Sequence, residues 1–398
     1  MTTLRSLRLK KSEDRRLRAG HVWIYSNEID IQATPLKLFS KGEEVLVEAA
    51  DKTVLGVAYV NPNSLITARL FTRRAHERLN TPFFVKQLKT ALEWRERLFD
   101  TPYYRLVFGE SDGLPGCVID RFDDVLVIQL NTAGMDVQRE MIVAACQTAF
   151  PWVQHILFRN DSGRRMTEGL EQEVTVGLGA PPQMIMLEEN NTFFSVPLWE
   201  GQKTGWFYDH RLNRSRLSHY VADRSVLDVF SYLGAWGIQA AKEGASSVTC
   251  IDSSARATQL IQANAECNCV SDKVTVITED AFVALKKLSQ SDALFDVIVL
   301  DPPAFIKKLK DKKEGFLAYQ RINEAALKLL APGGLLISCS CSMHMGYDDL
   351  IQAIRRANTS LAHALQIVER GHQAPDHPIH LMIPETDYLK MVMVRRMG

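Results

Sequence analysis

The feature that most constrains the fold is a series of near-continuous apolar runs of strand length, alternating with helical stretches. They follow residue 188 and cover 226–230, 247–252, 274–277, 295–301 and 334–340. Strands that are apolar throughout are buried on both faces, which is typical of parallel sheets covered by helices. The pattern predicts a Rossmann-like, doubly wound α/β domain over 188–398. Ligands of such sheets bind at the carboxyl ends of the strands.

The first three strand ends have the chemistry of a nucleoside site. The first run leads into Asp228-Val-Phe-Ser-Tyr-Leu-Gly234, where glycine allows a ligand to approach the backbone closely. Asp252 ends the second run, 24 residues after Asp228, which is close to the spacing of a ribose-binding acid. The third run is followed by residues expected to flank an adenine. We therefore predict a cofactor site containing Asp228, Phe230, Ser231, Gly234, Asp252, Asp280 and Ala281.

The loop sequence also distinguishes between cofactors. A dinucleotide fingerprint needs Gly-x-Gly-x-x-Gly, but Tyr232 stands two residues before Gly234. A carboxylate leading a single-nucleoside loop is the arrangement of S-adenosylmethionine enzymes. The sequence therefore favours S-adenosylmethionine over a nicotinamide.

The fourth and fifth strand ends carry candidate reactive groups. Two prolines stiffen the loop that begins Asp301-Pro-Pro-Ala-Phe305, and Cys341 follows the fifth run. If these strands are neighbours, about 5 Å apart, Asp301 and Cys341 face one substrate. A lone thiol here is otherwise better interpreted as core packing, as Cys339 is.

A thiol and a carboxyl group in one site suggest a particular reaction. A thiolate that adds to carbon 6 of cytosine makes carbon 5 nucleophilic toward a sulfonium methyl group, and a carboxyl group hydrogen-bonded to N3 assists the addition. We predict Cys341 as the nucleophile and Asp301 as the hydrogen-bonding acid, with Asp301 also bordering the cofactor. The predicted base-contacting residues are Pro302, Pro303 and Phe305.

Two further segments precede this domain. Short alternating strands in residues 1–73 predict a small β-barrel, and 74–187 reads as an α+β unit that opens with a helix through Phe84, Leu88, Leu92 and Leu98. Cations and aromatics mix near the start of the barrel, as on single-stranded nucleic-acid surfaces. Arg16 and Trp23 are the candidate RNA contacts, although core packing explains Trp23 equally well.

Charge is neutral overall but unevenly distributed. The chain has 47 Lys+Arg and 47 Asp+Glu, yet residues 1–20 and 69–97 each carry a local charge of +5, and five lysines surround Asp311 within 307–313. Such islands suit a phosphate backbone held at several points, whereas any single island is more simply a solvated surface.

The seven cysteines lack zinc-ligand or disulfide spacing, which predicts reduced thiols and no metal site. The sequence has neither an apolar run of transmembrane length nor a signal-peptide pattern, so we expect a cytoplasmic protein.

Four motifs together resemble the bacterial 23S ribosomal RNA large subunit methyltransferase I family, whose members make 5-methylcytosine. They are Gln202-Lys-Thr-Gly-Trp-Phe-Tyr-Asp-His-Arg211, Asp228-Val-Phe-Ser-Tyr-Leu-Gly, Asp301-Pro-Pro-Ala-Phe and Ser340-Cys-Ser-Met-His-Met345. The likeness runs the full length, through His21-Val-Trp-Ile-Tyr, Tyr104-Arg-Leu-Val-Phe-Gly-Glu, Ala374-Pro-Asp-His-Pro378 and Tyr388-Leu-Lys390. In place of the Gly-Leu that relatives often carry, this chain has Met343 and His344.

The resemblance implies a PUA barrel and a central α+β domain that help to bind RNA, a Rossmann-like methyltransferase domain, and a homodimer. It places the family's cysteine on Cys341. It also implies a segment that covers the cofactor, formed by Lys203, Thr204, Gly205 and Phe207 with Asp209 and Arg211 nearby.

Three alternatives remain open. A purine methyltransferase of related architecture would use Asp-Pro-Pro to orient a nitrogen, without a covalent step. A non-catalytic RNA-binding assembly factor would retain only the cofactor pocket. A nicotinamide oxidoreductase is disfavoured by Tyr232 and by the lack of a hydride-site acid.

Overall fold

Four β-sheets carry the architecture of residues 4–398, the part of the chain that the computed structural model describes. The chain divides into two compact units. One contains the residues up to 185 together with 197–206 and 375–386, and the other contains 186–196, 207–374 and 387–398. None of the helices within residues 4–398 combines the length and the apolarity needed to cross a membrane.

The first unit begins with a five-stranded sheet in the order β1-β3-β4-β5-β2. Its elements are β1 (Arg5–Arg8), α1 (Arg15–Arg18), β2 (Trp23–Tyr25), β3 (Glu43–Glu48), β4 (Val54–Val60) and β5 (Ile66–Thr72). Alternate side chains of β3 point into the core, where Val45 and Val47 are buried, because successive residues of a strand face opposite sides. The predicted short alternating strands are therefore present.

A second five-stranded sheet, in the order β10-β9-β8-β7-β6, belongs to the same unit. Its elements are α2 (Thr81–Glu96), β6 (Tyr103–Phe108), β7 (Cys117–Phe122), β8 (Val125–Leu130), α3 (Ala133–Asp136), α4 (Arg139–Ala149), β9 (His155–Asn160), α5 (Gly163–Thr167) and β10 (Glu173–Leu178). The Asn80 side chain accepts a hydrogen bond from Phe83 N and so caps α2. The helix is shorter than predicted: it ends at Glu96, and Leu98 lies beyond it, 36% exposed.

The two five-stranded sheets share a core. Tyr59 of β4 is fully buried, its hydroxyl donates to Pro115 O at 2.6 Å, and its ring packs so closely on Gly134 that a Cβ there would lie 2.0 Å from it. The structure thus groups the barrel segment and the central segment in one unit. The division into domains 1–73, 74–187 and 188–398 stays a prediction.

The second unit is built on a seven-stranded sheet in the order β15-β14-β13-β16-β17-β19-β18. The hairpin β11 (Met184–Glu189) and β12 (Thr192–Pro197) precedes it. The remaining elements are α6 (Arg211–Ser215), β13 (Ser225–Val229), α7 (Ala235–Lys242), β14 (Ser247–Asp252), α8 (Ala255–Cys267), β15 (Val274–Thr278), α9 (Ala281–Gln290), β16 (Phe295–Leu300), α10 (Lys312–Leu329), β17 (Leu330–Ser340), α11 (Tyr347–Ala357), β18 (Leu365–His372) and β19 (Lys390–Arg396).

Strand order explains where this sheet binds ligands. β13 through β17 are parallel, whereas β19 runs antiparallel to both of its neighbours. The chain order reverses between β13 and β16, and the crevice at such a reversal is the usual ligand site of an open α/β sheet. The predicted doubly wound sheet is confirmed, as is the pairing of β16 with β17.

Candidate active site

The loop after β13 is shaped by residues in the left-handed backbone region. Phe230, Tyr232 and Gly234 have φ of 68°, 51° and 79°, and Gly234 caps α7. Left-handed conformations are uncommon for residues other than glycine and concentrate at functional sites. The Ser231 hydroxyl donates to Asp228 O at 2.7 Å and accepts from Ile251 N at 3.0 Å, so this predicted cofactor residue uses its side chain to hold the loop.

Asp228 lies beneath this loop with no exposed side chain. Its Oδ2 accepts from Gly237 N at 3.0 Å, whereas its Oδ1 has no hydrogen-bond partner among the residues described. Burial raises the pKa of this carboxyl to about 7. A Cβ on Gly237 would lie 3.2 Å from Asp228 Oδ2 and 2.5 Å from Cys250 Sγ, so only glycine fits above the carboxyl group.

The next two strand ends use their acids differently. Asp252 Oδ2 accepts from Tyr232 N and its Oδ1 from Ser254 N, each at 2.9 Å, which ties the end of β14 to the left-handed loop. Asp280 Oδ1 caps α9 by accepting from the amides of Phe282 and Val283. Asp280 is therefore at least partly a helix cap, and Ala281 is the buried first residue of that helix.

Asp301, after β16, is held by two donors that sequence analysis did not identify. His210 Nε2 lies 3.2 Å from its Oδ1, and Trp236 Nε1 donates to its Oδ2 at 3.1 Å. Burial alone would raise the pKa of Asp301, but charge and hydrogen bonding from His210, with the Trp236 bond, outweigh it and lower that pKa. The carboxylate is ionised near neutral pH, which does not suit the proton-donating role predicted for it. His210 lies within a quoted motif and Trp236 lies between Gly234 and Gly237, so both could have been proposed.

Cys341 follows β17 and is partly exposed, whereas Cys339 is buried. The Cys341 Sγ lies 3.9 Å from Pro302 O, so the fifth strand end lies beside the Asp-Pro-Pro loop. Pro302 is buried, Pro303 is exposed, and Phe305 is half-buried with its ring 4.9 Å from that of Tyr319.

The serines on either side of Cys341 turn inward. Ser340 Oγ donates to the Tyr319 hydroxyl at 2.9 Å, and that hydroxyl lies 2.9 Å from Ser342 Oγ. Ser342 Oγ also accepts from Ile306 N at 3.1 Å, which joins the two loops. Because both serines point inward, the intervening Cys341 is the one that faces outward. Tyr319 is the residue of this network that sequence reasoning missed, since nothing in α10 marks its hydroxyl.

The motif that begins at Gln202 is divided between the two units. Phe207 packs edge-on against Tyr232 at 5.5 Å between ring centres, and the Tyr388 hydroxyl donates to Asp209 Oδ2 at 2.5 Å. Arg211 Nε lies 3.5 Å from Glu189 Oε2. These contacts are all within the second unit.

Other predicted residues belong to the first unit, and the side-chain contacts described for them are with residues of that unit. The Thr204 hydroxyl donates to Asp120, and its neighbours Lys203 and Gly205 have φ of 53° and 111°. Arg16 pairs with Glu28 and stacks over Tyr25, while Trp23 Nε1 donates to Glu110 Oε1 at 2.8 Å. Binding roles for Lys203, Thr204, Gly205, Arg16 and Trp23 stay predictions.

Comparisons with known proteins agree with this arrangement. The family model for S-adenosylmethionine-dependent methyltransferases matches residues 144–392, and that for PUA-like domains matches 7–73. Ribosomal RNA large subunit methyltransferase I of Aeromonas salmonicida is 37% identical over 393 residues, covering 97% of this chain and 98% of that protein. The same-named protein of Aliivibrio fischeri strain MJ11 is 36% identical over 390 residues, covering 97% and 98%.

Solved structures show the same fold over nearly the whole chain. A candidate SAM-dependent methyltransferase from Streptococcus mutans has a TM-score of 0.83 at 21% identity, covering 98% of this chain and all of that one. A candidate methyltransferase solved in complex with SAH has a TM-score of 0.85 at 21% identity, with the same coverage.

Proposed function

Since this chain belongs to the ribosomal RNA large subunit methyltransferase I family of S-adenosylmethionine-dependent enzymes, we propose that it forms 5-methylcytosine in 23S ribosomal RNA. The observation that carries the chemistry is a partly exposed thiol, Cys341, 3.9 Å from Pro302 O at the ends of two adjacent parallel strands. The two relatives are ribosomal RNA methyltransferases by name, which supports ribosomal RNA as the substrate. We further propose a cytoplasmic homodimer.

The second unit's residues fit S-adenosylmethionine. Bound there, this cofactor supplies a methyl group on a sulfonium centre. The buried Asp228 Oδ1 lacks a donor among the residues described, and the cofactor's amino group is of the kind that would satisfy it. Phe230 and Gly234 shape the loop, and Asp252 at the next strand end suits the ribose hydroxyls.

In the proposed reaction the Cys341 thiolate bonds to carbon 6 of the cytosine. Carbon 5 would then take the methyl group as the sulfonium–methyl bond breaks, which would leave a neutral thioether. Loss of the carbon-5 proton to a base and breakage of the carbon–sulfur bond restore the aromatic ring and release the thiolate. Ser340, Ser342 and Tyr319 keep the thiol turned toward the Asp-Pro-Pro loop. This geometry suits a nucleophile that must meet the face of a planar base.

Asp301 takes a modified role in this proposal. Because its pKa is lowered and both of its oxygens already accept hydrogen bonds, it suits an acceptor for the exocyclic amino group of cytosine better than a proton donor to N3. The carboxylate would then orient the base, with Pro302 and Phe305 framing the same loop.

Replacement of the thiol tests the proposal directly. We expect Cys341→Ala to bind S-adenosylmethionine with the wild-type dissociation constant and to lose methyl transfer by at least ~10³-fold, since no other group supplies the covalent step. Transfer of labelled methyl to ribosomal RNA is measured, and the product nucleoside is identified by mass spectrometry. Cys146→Ala is the matched control, because that thiol is buried and belongs to the first unit.

Other outcomes identify the alternatives. A methylated purine would mean the purine methyltransferase, and full activity of Cys341→Ala would make that cysteine structural. Salt-dependent RNA binding without any methyl transfer by the wild-type chain would favour the assembly factor.

A further inference from the structure

A buried lysine lies beside the proposed nucleophile. Lys390 is the first residue of β19 and is only 4% exposed. Its Nζ donates to Ser342 O at 2.7 Å and to Tyr388 O at 2.8 Å. Both acceptors are neutral carbonyls, and no carboxylate of the described residues lies within ion-pair distance of this ammonium group.

Burying the Lys390 ammonium group without an ion-pair partner costs free energy. A buried cation without a counter-ion loses hydration that neutral acceptors only partly replace. A leucine or methionine would fill the same space without that cost. We therefore expect the Lys390 ammonium group to stabilise an anion that forms beside it during the reaction.

The strand register places Lys390 beside the loop that carries Cys341. Lys390 is opposite Ser340 in the antiparallel pairing of β19 with β17, so its side chain starts where β17 ends. The carbonyl that it holds, that of Ser342, belongs to the residue directly after Cys341. One hydrogen bond thus fixes the backbone on the C-terminal side of the thiol.

We propose that Lys390 is a positioning residue that holds the Cys341 loop and stabilises the Cys341 thiolate with its positive charge. The proposal rests on the proposed function in one respect, namely that Cys341 is the nucleophile. A positive charge near a cysteine favours the thiolate, which is the reactive form. The thiolate in turn supplies the anion that Lys390 lacks.

The charges around Lys390 are consistent with Lys390 and Cys341 each stabilising the charged form of the other. Burial lowers the pKa of Lys390 to about 8, while Asp387, Cys341 and Asp349 favour its charged form. Tyr319 and Cys339 are the other titratable groups influenced by Cys341. The ammonium form still predominates at pH 7, so the charge is present at physiological pH.

Site-resolved alkylation of the full-length protein tests the proposal. Iodoacetamide is reacted with the wild type, Lys390→Met and Lys390→Arg between pH 6 and pH 10, and modification of Cys341 is followed by peptide mass spectrometry. We expect Lys390→Met to move the alkylation midpoint of Cys341 upward by about one pH unit, with a rate near pH 7 on the order of tenfold lower. Lys390→Arg keeps the charge and should stay near the wild-type midpoint.

Two controls make the result decisive. The exposed Cys267 is read in the same digests and should keep one midpoint in all three proteins. If Lys390→Met does not fold, Lys390→Gln removes the charge while retaining a donor for one carbonyl. An unchanged Cys341 midpoint in a folded neutral variant would overturn the proposal and leave Lys390 as a structural tie. Because alkylation requires no methyl transfer, an active Cys341→Ala would contradict the proposed function separately.

Discussion

At the scale of single residues, two aspartates in similar sequence positions have opposite pKa shifts in the site. Asp228 lies near the end of β13 and Asp301 directly follows β16, yet burial raises the pKa of the first and donors lower that of the second. The difference arises because Asp228 receives one backbone amide, whereas Asp301 receives an imidazole and an indole. The positions of both carboxyl groups could be predicted from the sequence, but their charge could not, because His210 and Trp236 lie far from Asp301 along the chain.

The raised pKa of Asp228 predicts a pH-dependent stability of the cofactor-free protein. A carboxyl whose folded-state pKa is about 7 binds its proton more tightly when folded, so stability is greatest at low pH and falls as pH rises through 7. We expect the wild type to lose about 2–3 kcal/mol of unfolding free energy between pH 5 and pH 8 from this group, and Asp228→Asn to lose far less over that range.

Urea unfolding at pH 5 and pH 8 measures this difference. Asp292→Asn, on an exposed turn, controls for the removal of a carboxylate from the surface. Equal pH slopes for Asp228→Asn and the wild type would mean that Asp228 is not protonated in the folded protein.

At the scale of elements, strand ends were more predictable than side-chain roles. Apolar runs reveal buried strands because both of their faces must be covered, and adjacent strand ends then follow from the sheet. By contrast, Ser231 and Asp280 were predicted to contact the cofactor, and the structure uses their side chains as a loop tie and a helix cap. Short polar side chains after a strand serve both purposes, so residue type alone does not distinguish them.

The position of the lysine segment 307–313 in the structure suggests a role in RNA binding that can be tested. Ile306 N is bonded to Ser342 Oγ, and a Cβ on Gly315 would lie 2.4 Å from Ile306, so the segment is fixed at both ends against the Asp-Pro-Pro loop. Lys307, Lys308 and Lys310 are exposed between those points. We expect these three side chains to contact the phosphates beside the target nucleotide.

Substitution of all three by Gln should reduce the slope of log K against log salt for single-stranded RNA by about 2 and weaken binding by on the order of 10- to 100-fold at low salt. Fluorescence anisotropy over a salt series measures both quantities. The matched control replaces Lys242, Lys286 and Arg321, which are equally exposed cations of the same unit, and should change neither. Identical slopes for the two triple variants would exclude a phosphate contact by this segment.

At the scale of the whole molecule, the resemblance and the fold class could be predicted, but the discontinuity of the units could not. Residues 375–386 belong to the first unit although 374 and 387 belong to the second. Their sequence contains three prolines and no regular apolar spacing, so periodicity gives no sign of where they pack. Long-range hydrogen bonds reveal it: Asp376 O accepts from Arg95 Nη2 at 2.9 Å, and Asp376 Oδ2 accepts from Arg105 N at 3.0 Å.

Residues 375–386, here called the return segment, lie near the C-terminus but belong to the first unit. We therefore expect Asp376 to stabilise that unit. Asp376→Ala leaves the amide of Arg105 in β6 without its acceptor, at a cost of about 1–3 kcal/mol. Hydrogen exchange of the β6 amides should therefore become faster by roughly 5- to 100-fold. Asp376→Asn keeps an acceptor oxygen and should exchange near the wild-type rate, with β13 and β16 as internal references. If β6 keeps wild-type protection in Asp376→Ala, the return segment is not a structural part of the first unit.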